Sequence, residues 1–281
     1  MKINQINYPL FSIVILSLFT KCATTSYYLN AFNGNHHYYH SIPLKSDSVT
    51  SAMYLSSTVS LGFANFHDRV KSITTNFHRS HSLGTVQAYY GANVSVGQYE
   101  VNKQRPNFYG TLDTVRINTF NQMTGRKIFG GYGLDGGLNI VVPIGRSGAE
   151  WRILGFETSL QEEFGSYLKF RRNIPDSVAQ VNMKSSFFPT IGLTTEIMYR
   201  WHHLFTGYRI AIGTSLKKED QNRISLSGFL KGQGTNPFYF VQTITYIYQN
   251  LTMYWQLNIA SYSVFLQGGF NYNIHSKRQR K

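Results

Sequence analysis

Tyr132-Gly133-Leu134-Asp135-Gly136-Gly137-Leu138-Asn139-Ile140-Val141-Val142 decides the fold. Tyr132, Leu134, Leu138, Ile140 and Val142 share one parity, while Gly133, Asp135, Gly137 and Asn139 share the other. Successive side chains of a strand point to opposite faces, so this stretch is extended, with one apolar face and one polar face. A helix needs apolar residues three and four apart, and the stretch does not supply them. The same alternation recurs at Val86–Val96, Ile191–Trp201, Leu251–Ile259 and Tyr262–Ile274. It is weaker at Met53–Phe63, Arg152–Leu160, Leu204–Leu216, Ile224–Leu230 and Phe238–Tyr248.

Two architectures accept such strands. A β-sandwich buries the apolar face against a second sheet, whereas a transmembrane β-barrel turns it to lipid. Length separates them, because a tilted strand needs about 9–11 residues to cross the hydrocarbon and most of these runs provide them. The expectation is an all-β chain forming an antiparallel transmembrane β-barrel of about 10–12 strands, an even number being the rule. Connection lengths point the same way. The long stretches near Asn102–Lys127 and Lys169–Ser185, with the charged Lys217–Asn222, fall after odd-numbered strands. Ser80–Leu83, Pro143–Gly148 and Trp201–His203 are short and fall after even ones, which matches short periplasmic turns and longer outer loops.

Composition excludes several other classes. The chain has 281 residues, with 27 Lys plus Arg against 13 Asp plus Glu and a net charge of +14. Tyr 20, Phe 20 and Trp 3 outnumber the charged residues, which is the opposite of a disordered composition. A single cysteine, Cys22, rules out a disulfide framework and a Cys-based zinc site. The basic residues are scattered except for Lys277–Lys281, and no nucleic-acid-binding fold accompanies them. Anionic lipid headgroups are the expected partner of that charge. Gly130-Gly131-Tyr132-Gly133 is glycine in a strand, suited to close packing, and not a phosphate-binding loop. No cofactor and no metal is expected.

At the N-terminus, Lys2 precedes an apolar core from Pro9 to Phe19, the pattern of a secretory signal. Leu18-Phe19-Thr20-Lys21-Cys22 resembles the lipobox of bacterial lipoproteins, in which the cysteine becomes the acylated first residue. Each buried CH₂ of such an anchor contributes about 0.8 kcal/mol. The expected organisation is a signal peptide over 1–21, a lipidated N-terminus and flexible tether over 22–51, the barrel over 52–274 and a basic tail over 275–281. The protein is expected in the outer membrane, anchored through Cys22 on the periplasmic side.

Phe77-His78-Arg79-Ser80-His81, Gln87-Ala88-Tyr89-Tyr90-Gly91-Ala92 and Gly155-Phe156-Glu157-Thr158-Ser159-Leu160-Gln161 carry a family resemblance. With the leader and the strands, the chain resembles the outer-membrane β-barrel proteins of the Bacteroidetes type. The resemblance implies an outer-membrane location, contact with outer-membrane lipid and lipopolysaccharide, and delivery by the barrel-assembly machinery. It implies no activity.

Three groups of residues are candidates for chemistry. His78 and Ser80, with His81 and Ser82 beside them, are similar to the histidine–serine pair of outer-membrane lipid A deacylases, where histidine deprotonates serine for attack on an ester. They fall at an expected short turn, where turn hydrogen bonding is the better reading. Asp135, Glu157, Glu163 and Glu196 with Arg200, Arg209 and Arg223 have the parity of a barrel interior and are expected to fill it as a polar network. Glu157 and Glu163 share a face, but six residues along a strand span roughly 20 Å, which excludes direct acid/base pairing. His36, His37 and His40 lie in the tether and are expected to be solvated. The expected function is therefore a noncatalytic outer-membrane barrel lipoprotein serving envelope structure or surface contact. The alternatives are a lipid-acting hydrolase using His78 and Ser80, a narrow small-solute pore, and a lipid-tethered sandwich.

Overall fold

The computed structural model describes residues 27–44, 49–65, 67–103, 114–144, 149–175, 179, 181–201, 204–217, 220–221 and 236–278. The expected signal sequence over 1–21, Cys22, Arg223 and the run Ile224–Leu230 lie outside the described residues. Among those described, ten antiparallel strands close into a barrel. They are β1 (Val49–Ala64), β2 (Asp68–Leu83), β3 (Val86–Val101), β4 (Gly125–Ile144), β5 (Ala149–Gly165), β6 (Phe187–Trp201), β7 (Leu204–Ser215), β8 (Phe238–Tyr248), β9 (Leu251–Ala260) and β10 (Ser263–Arg278). Each pairs with the next, and β10 pairs with β1 to close the ring.

Register fixes the shape. Stepping from partner to partner runs Ser51, His81, Ala88, Leu138, Phe156, Leu193, Ile212, Phe240, Ile259, Val264 and back to β1 at Phe63, twelve residues on (63 − 51). Twelve rises of ~3.3 Å against ten spacings of ~4.8 Å give a tilt of about 40° and a backbone radius of about 10 Å. Half the ~10 Å separation of packed sheets goes to the wall's own side chains, leaving room for about one extended chain along the axis.

The apolar parity faces outward. Leu134, Leu138, Ile140, Val94, Leu193 and Leu266 are all exposed, Leu134 at 59%. In a closed ring this face has no second sheet to cover it, so it meets hydrocarbon, and the sandwich is excluded. Phe63, Phe164, Phe187 and Phe238 ring one rim, and Trp151, Tyr199, Tyr248 and Tyr272 the other, as aromatic girdles do. On β2 the outward Arg69 and Lys71 lie towards one rim and Arg79 and His81 towards the other, bracketing Ile73 and Phe77.

The connections are asymmetric. Those after β2, β4, β6 and β8 are short, and β1 begins and β10 ends at that same rim. The long ones follow β3, β5 and β7 at the opposite rim. They carry α1 (Thr114–Gln122) and α2 (Ser166–Asn173), with a three-stranded patch of Tyr27–Tyr28, Val181–Asn182 and Asp220–Gln221.

Several expectations change. The barrel extends beyond 52–274: it starts at Val49, and His275–Arg278, expected as basic tail, continues β10 by pairing with β1. Strand β2 runs through His78 and Ser80 to Leu83, and the turn is Gly84–Thr85, with Gly84 at φ 68°. The largest change concerns the tether. Residues 28–44 are buried throughout, running along the barrel axis. Tyr27 sits at the long-loop rim, opposite the periplasmic-side attachment expected for Cys22. Its N–H donates to Asn65 Oδ1 at 2.9 Å, and its ring stacks on Tyr262 at 3.7 Å. The segment is not a solvated tether because Ala23–Leu44 contains no charged residue. Its aromatic and amide side chains satisfy the polar wall that ten strands leave unfilled.

Candidate functional site

Among the described residues, polar groups converge in the lumen, and the inserted segment organises them. At the long-loop end, Glu163 of β5 accepts a hydrogen bond from the Ala31 N–H at 2.9 Å and pairs with Arg171 of α2 at 2.7 Å. Both side chains of that pair are fully buried. Arg171 also stacks over the Tyr167 ring at 5.3 Å. The Tyr167 hydroxyl donates to the Leu29 carbonyl at 3.1 Å, and burial pushes its phenol above the ordinary value. Around these groups Tyr28, Tyr99, Phe120, Phe129, Phe170 and Phe265 form an apolar cap over the mouth.

Deeper in, Phe32 lies against Gly131, where a Cβ would collide with its ring. A turn over residues 31–35 follows, with Gly34 at φ 76°. Below it, His37 Nδ1 lies 3.3 Å from Glu157, which also pairs with Arg209. His40 Nε2 lies 3.2 Å from Asp135, whose carboxylate accepts from Asn76 at 2.7 Å and Asn93 at 2.5 Å. The Tyr39 hydroxyl donates to Glu196 at 2.7 Å, and Glu196 pairs with Arg152. Arg152 also donates to Gln87 at 2.7 Å and to the Ile42 carbonyl at 3.2 Å. Gln87 in turn donates to the Pro43 carbonyl at 3.0 Å. The segment ends at the short-turn mouth, where Ser41–Leu44 floor a vestibule of about 760 Å³ bordered by Tyr54, Arg200, Tyr248 and Asn273.

Of the expected network, Asp135, Glu157, Glu163, Glu196 and Arg209 are buried inside the barrel. Arg209 joins Glu157, its ion-pair partner, to Glu196, its register partner on β6, whereas Asp135 and Glu163 contact other residues of the wall, the inserted segment and α2. Arg200 has the inward parity but lies exposed at the short-turn rim, over the Phe205 ring at 5.4 Å. Glu157 and Glu163 make separate pairs, as their spacing requires.

His36, His37 and His40 are buried, not solvated. His36 and His37 both pack on the Tyr239 ring, but the polar partners of the three differ, His36 Nδ1 being 2.6 Å from the Phe32 carbonyl. Among the described residues no three His, Cys, Asp or Glu side chains are grouped as a metal site. His78 and Ser80 are wholly buried. His78 contacts Asn76 at 3.0 Å, Ser56 at 3.4 Å and the Ser41 carbonyl at 3.2 Å, so the inserted segment covers the pair from the lumen side.

Arg152 and Arg171 are the groups that sequence reasoning missed. A register shift between Arg152 and Gly155 flips the parity of β5, so strict alternation from Glu157 points Arg152 outward. Arg171 comes from a loop helix whose docking has no strand period. The inserted segment is charge-free before Lys45, which is compatible with burial but does not by itself call for it.

No protein-family model and no curated protein matches the chain. Solved structures match in general shape. The beta domain of the Bordetella autotransporter Brka is 7% identical, covering 79% of this chain and 99% of that one, with a TM-score of 0.40. An outer membrane channel from Pseudomonas putida F1 is 8% identical, covering 84% and 98%, with a TM-score of 0.40. The translocator domain of autotransporter NalP from Neisseria meningitidis is 8% identical, covering 82% and 90%, with a TM-score of 0.36. The assignment to outer-membrane β-barrels rests on the closed register and the apolar exterior, not on these likenesses.

Proposed function

We propose that this outer-membrane β-barrel is sealed by its own N-terminal segment and serves envelope structure or surface contact through its long-loop face. The observation that carries this reading is the burial of residues 28–44 along the axis, hydrogen-bonded to β2, β3, β5 and β6. With room for about one chain inside a ten-strand wall, that segment leaves no continuous water path. Substrate access to His78 and Ser80 is closed by the same segment, which disfavours the hydrolase. The partners in this reading are outer-membrane lipid and lipopolysaccharide against the belt and its basic rims, and the barrel-assembly machinery during insertion. Single-channel recording of the folded protein in planar bilayers tests it. No conductance steps are expected, and steady steps from well-folded protein would refute the sealed lumen.

A further inference from the structure

We infer that the barrel carries its own N-terminus through its lumen and presents the chain ahead of Tyr27 on the long-loop face. The inference stands on the direction of threading and on reach, so a barrel that conducts with the segment still in its lumen would leave it intact.

Both ends of the inserted segment are fixed by contacts to opposite rims. Tyr27 pairs with Val181 in the loop patch, donates to Asn65 in the β1–β2 turn and stacks on Tyr262 in the β9–β10 turn. Asn33 Nδ2 donates to the Ser261 carbonyl of that same turn at 2.6 Å. At the other end, Ile42 and Pro43 accept from Arg152 and Gln87, close to where β3 begins, and Leu44 borders the vestibule with Gln249 and Asn250. The chain therefore enters the described structure at the loop rim, descends the lumen and turns into β1 at the short-turn rim.

Reach decides what precedes Tyr27. Four residues separate Cys22 from Tyr27, five steps along the chain, and a fully extended chain spans at most ~3.6 Å per step, about 18 Å. The apolar band of such a barrel is about 25 Å tall, so Cys22 cannot return to the short-turn side around the outside. Nor is there a second passage inside, since the lumen holds one chain. The absence of charge from Ala23 to Leu44 suits a segment held in a narrow polar bore. An acyl group on Cys22 would enter the leaflet on the loop face, opposite the expected anchor.

The test places an epitope after Thr25 in the full chain, with leader and Cys22 kept. Control epitopes go in the Asn65–His67 turn and the Gln249–Asn250 turn. Antibody binding to intact cells at Thr25 should match that at Asn65–His67, with the Gln249–Asn250 epitope at background until the membrane is permeabilised. An epitope at Thr25 that behaves like the one at Gln249–Asn250 overturns the inference, as does one that stays hidden while Asn65–His67 is reached. A second measurement does not depend on tolerating an insertion. Asn33 and Ser263 hydrogen-bond side chain to side chain at 3.2 Å, so Asn33→Cys with Ser263→Cys should form a reducible cross-link that shifts gel mobility. Asn33→Cys with Gln249→Cys should form none. The reverse pattern overturns the inference.

Discussion

Replacing Arg171 with methionine isolates the ion pair that fastens the inserted segment to the cap. Arg171 contacts Glu163 at 2.7 Å, and both side chains are inaccessible to solvent. Methionine keeps much of the stem that lies over Tyr167 and removes the charge. Among the described residues, Glu163 then retains only the Ala31 N–H as a hydrogen-bond partner for a buried carboxylate. Removing one member of a buried pair costs about 3–5 kcal/mol, so Arg171→Met should lose roughly that much stability. Glu163→Gln should cost a similar amount, because the buried Arg171 guanidinium loses its counter-charge and faces only neutral oxygens, the amide of residue 163 and the Ser185 carbonyl at 3.4 Å. The double variant removes both charges, and the side-chain amide oxygen that replaces the carboxylate can still accept from Ala31. It should fall within about 1–2 kcal/mol of the parent, since apolar or neutral replacement of a buried pair is often close to neutral. Urea unfolding of the folded barrel in detergent, followed by tryptophan fluorescence, measures all three. Single variants within about 1 kcal/mol of the parent, or a double variant that costs the sum of the singles, would show that the pair is hydrated and the cap open.

The lipid-facing assignment predicts that Leu134→Arg, in mid-strand on the exposed face, costs about 2–4 kcal/mol when unfolding is measured in phospholipid vesicles; an unchanged midpoint would mean that this face meets water. Phe32→Ala should partly offset Gly131→Ala, because a Cβ at 131 strikes the Phe32 ring; strictly additive stabilities from a double-mutant cycle would place the ring elsewhere. Exchanging residues 31–44 for a glycine–serine linker should unseal the bore, and planar-bilayer recording should then reveal steps absent from the parent. Alanine at His78 or Ser80 should leave lipid A acylation unchanged in whole cells, with altered acylation restoring the hydrolase.

Strand existence and facing were readable because a two-sided wall imposes a strict period on its own residues. Asp135, Glu157, Glu163, Glu196 and Arg209 followed from that period and point inward. It fails at Arg152, where a bulge resets the parity, and it says nothing about Arg171 or about Tyr27–Leu44, which lie off the sheet. Local composition cannot tell whether a charge-free, aromatic stretch will hang in water or line a polar bore. The answer depends on the ring's radius, which emerges only from pairing ten strands at a cumulative offset of twelve. Tail and turn limits moved for a related reason. His275–Arg278 look like a charged end, yet β1 extends far enough to pair with them.

The threaded segment also constrains the order of assembly. Once β10 zips onto β1 the ring is topologically shut, and anything bulkier than a bare peptide on the leading end can no longer slip through. A bulkier leading end reaches the loop face only where the segment lies between the sheet's two open edges before they meet. A compact domain fused ahead of Tyr27 should stall the protein as an unclosed intermediate, whereas the same domain fused after Lys281 should not.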